Sequence, residues 1–365
     1  YTFTHNAYIF KGTIDWGDKQ STEYKNTINQ PQHTYAKAGK YIVKAKGQMY
    51  GLKNRTLGTG TIKAVDNITT TLVKIGSEMG VKDMSYAFYK CNSLKNISKG
   101  ALDGCKQVTS FNYAFQNCSG LTSLPEGLLD KCTEVTEFYG VFGHCSNLQT
   151  IPEGMFDKCT KIKAFSYVFQ YCHNLEAIPV GLFDNCTEVT SFYETFLSCD
   201  NIQTIPEGLF DNCTKVTDFG STFKECSSLQ EIPTGLFDSC TEVTNFGNVF
   251  MECSNLKAIP EGLFDNNSKA ISFGNAFYRC SKINGIPEGL FDYCPEVTNF
   301  CGTFLSTAIT TIPVGLFDNN TKVTMFSNNS SYESCFTGCS SLKTIPAGLF
   351  DNFTQVTDLG FVFNG

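Results

Sequence analysis

The chain has 365 residues, 41% of them hydrophobic, which is enough for a sizeable core or a long solenoid. Its formal net charge is -7, so the chain lacks the excess of basic residues expected of a protein that binds nucleic acid or an anionic membrane. No apolar run approaches the ~20 residues that a membrane span needs, so no transmembrane segment is expected. The 18 cysteines and 32 phenylalanines are unusual, and their spacing explains both.

Residues 1–47 alternate β-forming residues with Gly, Asn and Asp turn signals, which predicts strands. The segments 14–18 (IDWGD) and 33–43 (HTYAKAGKYIV) resemble the WGD…HTY…GxYxV pattern of PKD-type β-sandwich domains. Lys19 stands where that pattern usually has glycine, which leaves the conformation of this turn open. So small a unit buries little surface, and we expect it to pack on the first coil of the next domain. Residues 48–70, rich in Gly, Thr and Asn, predict a connector.

From Leu72 onward the chain repeats itself. After a short first coil, 72–93, a leading aliphatic residue recurs every 27 residues, at Leu94, Leu121, Leu148, Leu175, Ile202, Leu229, Leu256 and Ile283. The next two steps are 26 residues, to Ile309, and 33 residues, to Leu342. Such a period predicts stacked coils, because one repeat cannot bury its apolar face alone. The predicted domains are therefore 1–70, a small β-sandwich plus connector, and 71–365, a solenoid.

Residues 229–255 (LQEIPTGLFDSCTEVTNFGNVFMECSN) represent the repeat. The L-x-x-I-P and V-T-x-F motifs predict extended edges, LFDxC predicts a 3₁₀ turn, and F-x-x-C predicts a short helical turn. Phe237, Phe246 and Phe250 recur in nearly every coil and are expected to stack in buried ladders. The recurring Asp238 position could hold a cation or cap a turn. Since acidic partners at fixed offsets are missing, an Asx-type turn is favoured.

Two cysteines per coil form two further ladders, spaced alternately by 13 and 14 residues from Cys105 to Cys253. Other coils tolerate substitutions, at Asn267, Thr307, Asn320 and Phe353, which favours buried thiols over bridges. Zinc is disfavoured because there is no CxxC pair and the only histidines are His5, His33, His144 and His173.

Cys301 and Cys335 are out of register with both cysteine ladders. Cys335 lies in a six-residue insertion, and the two cysteines fall at nearby positions of adjacent coils. They could form a disulfide that pins the insertion, or they could remain as two thiols. A Cα–Cα distance above 7 Å would rule out the disulfide.

The consensus IPxGLFDxCTxVTxFxxxFxxC resembles BspA-type leucine-rich-repeat surface proteins of host-associated anaerobic bacteria, over residues 72–365. The resemblance implies an α/β fold: a curved, right-handed solenoid of about ten to eleven coils after a PKD-like segment. It also implies an extracellular, surface-displayed binding or adhesion protein whose leader and anchor lie outside this sequence. The 27-residue coil and the GLFD insert depart from the simpler repeat, so the curvature of shorter repeats does not transfer.

No HExxH, GxSxG or P-loop motif occurs, and the repeat explains nearly every Asp, Cys and Thr. We therefore expect no catalytic residues, no metal and no cofactor. A monomeric scaffold that binds a host or environmental protein or glycan is favoured. The alternative is a structural surface spacer without a specific ligand.

Ligand binding in a solenoid is expected at variable, exposed positions. Just after V-T-x-F, five successive coils carry a tyrosine: Tyr86, Tyr113, Tyr139, Tyr167 and Tyr193. Tyr139 and Tyr193 come one residue earlier than the others, which could break the stripe. The tyrosines could bind a ligand, because tyrosine is a favoured contact residue, or they could shield the phenylalanine ladder. His144, Tyr171 and His173 are candidate neighbours.

Overall fold

The computed structural model describes residues 8–15, 17–27, 34, 36–37, 44–51, 70–72, 82–328 and 333–365. Near the N-terminus, three strands form one antiparallel sheet in the order β2-β1-β3: β1 (Tyr8–Asp15), β2 (Ser21–Thr27) and β3 (Lys44–Gly51). Further strands are β4 (Thr70–Leu72), β5 (Leu94–Ile97), β6 (Ser327–Asn328) and β7 (Glu333–Ser334). Strands β4 and β5 pair in parallel, as neighbouring coils of a solenoid do.

The turn between β1 and β2 retains the conformation that glycine adopts easily. Lys19 has a φ of 71°, and the Asp15 and Asp18 carboxylates accept hydrogen bonds from the amides of Gly17 and Gln20, at 2.9 and 3.0 Å. Trp16, His33, Tyr35 and residues 38–43 of the motif, the second sheet of the predicted PKD-like sandwich, its packing on the first coil and most of the connector lie outside the described residues. The sandwich and the domain boundary therefore remain predictions.

The coils are joined by three sets of backbone hydrogen bonds. One set follows the L-x-x-I edge, where the Gln149 amide donates to the Thr122 carbonyl at 2.9 Å. A second follows V-T-x-F, where the Thr244 amide donates to the Thr217 carbonyl at 2.9 Å. The third joins the turn segments, which we define as the residues from the V-T-x-F phenylalanine to the F-x-x-C cysteine, such as 246–253.

In each turn segment, alternate amides point to the next coil. The amides of Phe246, Asn248, Phe250 and Glu252 donate to the carbonyls of Ser272, Gly274, Ala276 and Tyr278, at 2.9, 2.8, 2.9 and 2.7 Å. Two of these donors, Asn248 and Glu252, have φ values of 56° and 62°. The equivalent residues of the other described coils are left-handed too, except at the first position of the segment with the insertion before Cys335, and most of them are not glycine.

These bonds explain why the predicted α/β class is wrong for the described residues, which contain strands and turns but no helix. In an α-helix, each amide donates a hydrogen bond to the carbonyl four residues earlier in the same segment. Here alternate amides bond to the next coil, and a left-handed residue recurs every fourth position. Most of the remaining amides close short i→i−3 turns, such as Val249 to Phe246 at 3.2 Å.

The phenylalanine ladders are confirmed. Phe237, Phe246 and Phe250 are fully buried, and each stacks on its counterpart in the next coil. The Phe250 and Phe277 ring centroids lie 5.8 Å apart with an interplanar angle of 12°. The ladders also contact one another, since the Phe237 and Phe246 centroids are 4.9 Å apart. This aromatic column is the core of the solenoid.

The cysteine ladders consist of buried thiols, as predicted, and most of these thiols point at a backbone carbonyl of the preceding coil. The Cys240 sulfur lies 3.7 Å from the Phe210 oxygen and 3.6 Å from the Cys213 oxygen. One coil later, Asn267 Nδ2 donates to the equivalent carbonyls of Phe237 and Cys240, at 3.2 and 3.0 Å. Asparagine therefore replaces cysteine here because it supplies the same donor.

The predicted Asx turn at the LFDxC aspartate is wrong. The Cys240 amide donates to the Phe237 carbonyl at 3.0 Å, so this turn closes through the backbone. The Asp238 carboxylate instead folds back toward Gly235, which has a φ of 73°. A neighbouring carboxylate of this row, Asp265, has a raised pKa, mainly through burial and then through the charges of the aspartates one coil away on either side.

Exposed Glu–Lys pairs join neighbouring coils two by two at one repeat position. Lys161 Nζ lies 2.8 Å from Glu134, and Lys269 Nζ lies 2.6 Å from Glu242. The position alternates strictly along the chain, in the order Glu134, Lys161, Glu188, Lys215, Glu242, Lys269, Glu296, Lys322. Since these side chains are about half exposed, each pair contributes only ~0–1 kcal/mol.

Replacing Phe237 by Ala should lower the free energy of unfolding by roughly 3–5 kcal/mol, because it removes a ring that touches all three phenylalanine ladders. The measurement is urea denaturation followed by far-UV circular dichroism. Val180→Ala is the control: this side chain is 77% exposed, so deleting apolar atoms there should change stability by less than about 0.5 kcal/mol. Equal losses in both variants would contradict the ladder as the core.

Gly235→Ala should cost about 1–2 kcal/mol, because an L-residue is strained at this φ. An added Cβ would also lie 3.0 Å from Asp238 Oδ2. The matched control is Gly285→Ala, where a Cβ meets nothing within 4 Å. That variant should be neutral or gain up to about 1 kcal/mol. Thermal unfolding of both variants would test this, and a stable Gly235→Ala protein would refute it.

Candidate functional site

The turn segments determine where the candidate tyrosines lie. In the segment that starts at Phe111, the Tyr113 amide donates to the Tyr139 carbonyl at 2.7 Å, and Tyr113 is left-handed with a φ of 58°. The Phe111 and Phe115 side chains point into the core, whereas Tyr113 between them is half-buried at the surface. Each coil therefore presents its residues after V-T-x-F at one place, one coil spacing from the next.

We define the tyrosine surface as Tyr86, Tyr113, Tyr139, Tyr167 and Tyr193. The Tyr86 and Tyr113 rings stack with centroids 5.0 Å apart, and the Tyr167 and Tyr193 rings meet edge to face at 5.4 Å. Tyr139 is 38% exposed, and the other four are half-buried. Burial raises the pKa of Tyr86, Tyr113 and Tyr167, and a hydrogen bond with Glu194 is the main cause that raises the pKa of Tyr193.

The one-residue offset at Tyr139 does not open a gap in the tyrosine surface. Gly140 occupies the position that Tyr113 and Tyr167 hold in their own coils. A Cβ on Gly140 would lie 2.6 Å from the Tyr113 ring and 3.7 Å from Tyr167 Cβ. The Tyr113 ring therefore rests on the glycine and fills the space beside Tyr167.

A polar ladder lies beside the former tyrosine positions in the coils beyond Tyr193, and sequence reasoning missed it. Asn245 Nδ2 donates to Asp218 Oδ1 at 2.8 Å, and Asn299 Nδ2 donates to Ser272 Oγ at 3.2 Å. The same side chains accept bonds from amides two residues on, such as Gly247 to Asn245 at 2.9 Å. These residues share the x position of V-T-x-F. The run of Asp, Asn and Ser at that position was the sequence signal that could have predicted the ladder.

The predicted neighbours form a second small cluster. The His144 and Tyr171 rings stack with centroids 4.5 Å apart, and the Tyr171 and His173 centroids are 6.0 Å apart. His173 Nδ1 lies 2.8 Å from the carboxylate of Asp200, a residue that the sequence did not single out. His144 and Tyr171 hold the second left-handed position of their turn segments, four residues after the position of Tyr113 and Tyr167.

The predicted disulfide between Cys301 and Cys335 is not formed, since both residues are buried thiols. The insertion decides their register. The Phe304 amide donates to the Cys335 carbonyl as the Phe277 amide does to Thr303, so Cys335 aligns with Thr303 and not with Cys301. Strands β6 and β7 form a short hairpin that places the insertion before Cys335.

In the described part of the chain, no group of three or more His, Cys, Asp or Glu side chains could hold a metal ion. Burial also raises the pKa of most ladder thiols, to about 12 for Cys105 and Cys145, which makes these two poor nucleophiles at neutral pH. The exception is Cys91, whose pKa is lowered by a hydrogen bond with Cys118. The candidate site is therefore a partly exposed aromatic surface. No helix among the described residues is long and apolar enough to cross a membrane.

The ladders and coils above define a leucine-rich-repeat solenoid. Six copies of the BspA type leucine rich repeat region match residues 70–217. A family described as Mycoplasma protein of unknown function, DUF285, matches residues 163–290. Residues 70–217 are therefore similar to BspA-type leucine-rich repeats, and the same backbone ladders continue through the later coils. The search of curated proteins finds no match.

Several solved structures are similar. One is from the Drosophila Toll–Spatzle complex: 16% identity, TM-score 0.44, covering 81% of this chain but only 36% of that one. A leucine-rich repeat protein from Eubacterium ventriosum is 14% identical, with a TM-score of 0.38 and coverages of 83% and 92%. A leucine rich cell surface protein from Faecalibacterium prausnitzii is 20% identical, with a TM-score of 0.23 and coverages of 77% and 84%. Because these TM-scores lie below 0.5, the fold assignment depends on the ladders and the repeat match instead.

We expect the His144 imidazole to titrate below its usual pKa, because of burial first and the charge of His173 second. The His173→Gln variant removes the second cause and should raise this pKa, as measured by NMR titration with His144→Gln to assign the signal. In the unfolded chain the His144 imidazole binds a proton more readily than in the folded protein. The contribution of His144 to the free energy of unfolding should therefore fall as the pH drops through ~6.5 and below. An unchanged His144 pKa in His173→Gln would contradict the effect of the His173 charge.

Proposed function

We propose that this protein is a cell-surface binding scaffold that engages a host or environmental protein or glycan through the tyrosine surface. Leucine-rich-repeat proteins generally mediate protein binding, and BspA-type repeats together with the similar cell surface protein favour an extracellular location. Surface display, adhesion and the identity of the partner are part of the proposal.

One comparison between coils carries the proposal. Phe219, Phe246 and Phe273 are fully buried in coils that have glycine, serine or asparagine where the earlier coils have tyrosine. The phenylalanine ladder therefore does not need tyrosines to shield it from water. This weakens the shielding explanation and leaves five exposed or half-exposed aromatic side chains without a role in the core.

The physical properties of the tyrosine surface suit recognition. The inter-coil hydrogen bonds fix the backbone of each tyrosine, so little conformational freedom is lost on binding. Tyrosine offers a large apolar ring and a hydroxyl group while immobilising only two torsions. With ~4.8 Å between coils, five successive tyrosines span roughly 19 Å, which suits a short glycan or a peptide segment.

The alternative function is a surface spacer without a specific ligand. The regular core and the paired Glu–Lys ladder would serve a spacer equally well. What the spacer leaves unexplained is the concentration of tyrosines in five successive coils, when later coils build the same core without them.

An array of glycans and purified extracellular-matrix proteins, probed with the chain and with the Tyr113→Ala and Tyr167→Ala variants, tests the proposal. Each variant should weaken binding of a hit by ~2 kcal/mol or more, as expected for aromatic contacts at the centre of an interface. Asn248→Ala is the matched control, because Asn248 holds the same left-handed position without an aromatic side chain. Absence of any hit would favour the spacer, and equal losses in all three variants would contradict the tyrosine surface as the binding site.

A further inference from the structure

A polar groove lies beside the leading aliphatic residue of the L-x-x-I edge. Its repeat positions differ from those of the tyrosine surface. Its volume is about 310 Å³. Two columns of side chains line it. One column comes directly after the leading residue of three successive coils: Gln203, Gln230 and Lys257. The other comes directly before the leading residues Leu229, Leu256 and Ile283: Ser228, Asn255 and Lys282.

The inter-coil bonds make this groove a fixed feature. The Gln230 amide donates to the Gln203 carbonyl at 3.0 Å, and the Lys257 amide donates to the Gln230 carbonyl at 3.2 Å. The buried residues Leu229 and Leu256 hold the two columns apart. The lining side chains are therefore spaced by the coil repeat.

Two lysines give the groove its charge. Lys257 Nζ donates to Gln230 Oε1 at 2.9 Å and lies 4.0 Å from the Glu231 carboxylate. Lys282 Nζ donates to Asn255 Oδ1 and pairs with no carboxylate of the described coils. Elsewhere in the solenoid, lysines such as Lys269 and Lys322 lie 2.6 Å from a glutamate. Both groove lysines thus donate to amide oxygens, which neutralise no charge, and Lys257 alone also has a carboxylate at 4.0 Å.

We infer that this groove binds a short anionic saccharide whose carboxylates face Lys257 and Lys282. Amide and hydroxyl side chains such as Gln203, Asn255 and Ser228 can both donate to and accept from sugar hydroxyls. An ammonium group forms a charge-assisted bond to a carboxylate, which is stronger than a bond between neutral groups. A peptide is disfavoured because none of the six lining side chains is an apolar or aromatic anchor.

This site is independent of the proposed function. It occupies other repeat positions than the tyrosine surface, and its lining residues come from later coils, 203–282 instead of 86–193. A protein that has lost binding at the tyrosine surface should therefore retain the groove, and Tyr113→Ala tests this separation directly.

The experiment is isothermal titration calorimetry with a tetragalacturonate oligosaccharide at low ionic strength. Lys282→Gln and Lys257→Gln should each weaken binding about tenfold, the loss of one charge-assisted hydrogen bond. Lys269→Gln, which removes a lysine from a Glu–Lys pair instead, should leave affinity unchanged. Glu231→Gln should strengthen binding, because it removes the carboxylate that competes for Lys257. Circular dichroism confirms that each variant is folded.

Two comparison ligands distinguish the saccharide from charge alone. Neutral maltotetraose should bind at least about tenfold more weakly than tetragalacturonate, and so should a tetra-aspartate peptide. The proposal is overturned if tetragalacturonate does not bind, if tetra-aspartate binds equally well, or if Lys269→Gln loses as much affinity as Lys282→Gln. Loss of binding in Tyr113→Ala would also overturn a separate groove site.

Discussion

The structure depends on the hydrogen bonds that alternate amides of each turn segment donate to the next coil. These bonds use amides that an α-helix would pair with carbonyls of the same segment. The segments therefore form turns with left-handed residues instead of helices. Because the same positions donate in every coil, side chains line up in columns. Buried columns hold phenylalanine and cysteine, and surface columns are free to vary.

The buried columns show two ways of stacking identical side chains. Phenylalanine rings stack through dispersion and burial of apolar area, and their ladders contact one another. Cysteines stack as weak donors to the carbonyls of the preceding coil. The replacement of Cys240 by Asn267 in the next coil illustrates this role, because Asn267 Nδ2 reaches the corresponding carbonyls. A role limited to filling space would not demand a donor there.

The surface columns separate two candidate recognition sites. The tyrosine surface is aromatic and lies in the earlier coils, whereas the groove at Lys257 and Lys282 is polar and lies in later ones. Both have the same origin: at repeat positions outside the core, the side chain can differ from one coil to the next. Gly140 shows how such a column tolerates an offset, since its missing side chain leaves room for the Tyr113 ring.

The sequence by itself determined the repeat, the coil spacing, the phenylalanine core and the buried thiols, because strict periodicity forces equivalent residues into equivalent environments. It also contained the alternation from Glu134 to Lys322, visible at one fixed position. Only the tertiary structure decided the left-handed turns, the register of Cys335 and the continuity of the tyrosine surface. Those depend on which carbonyl of the neighbouring coil each amide meets. That pairing is set by contacts some 26 residues apart, and local residue preferences do not encode it.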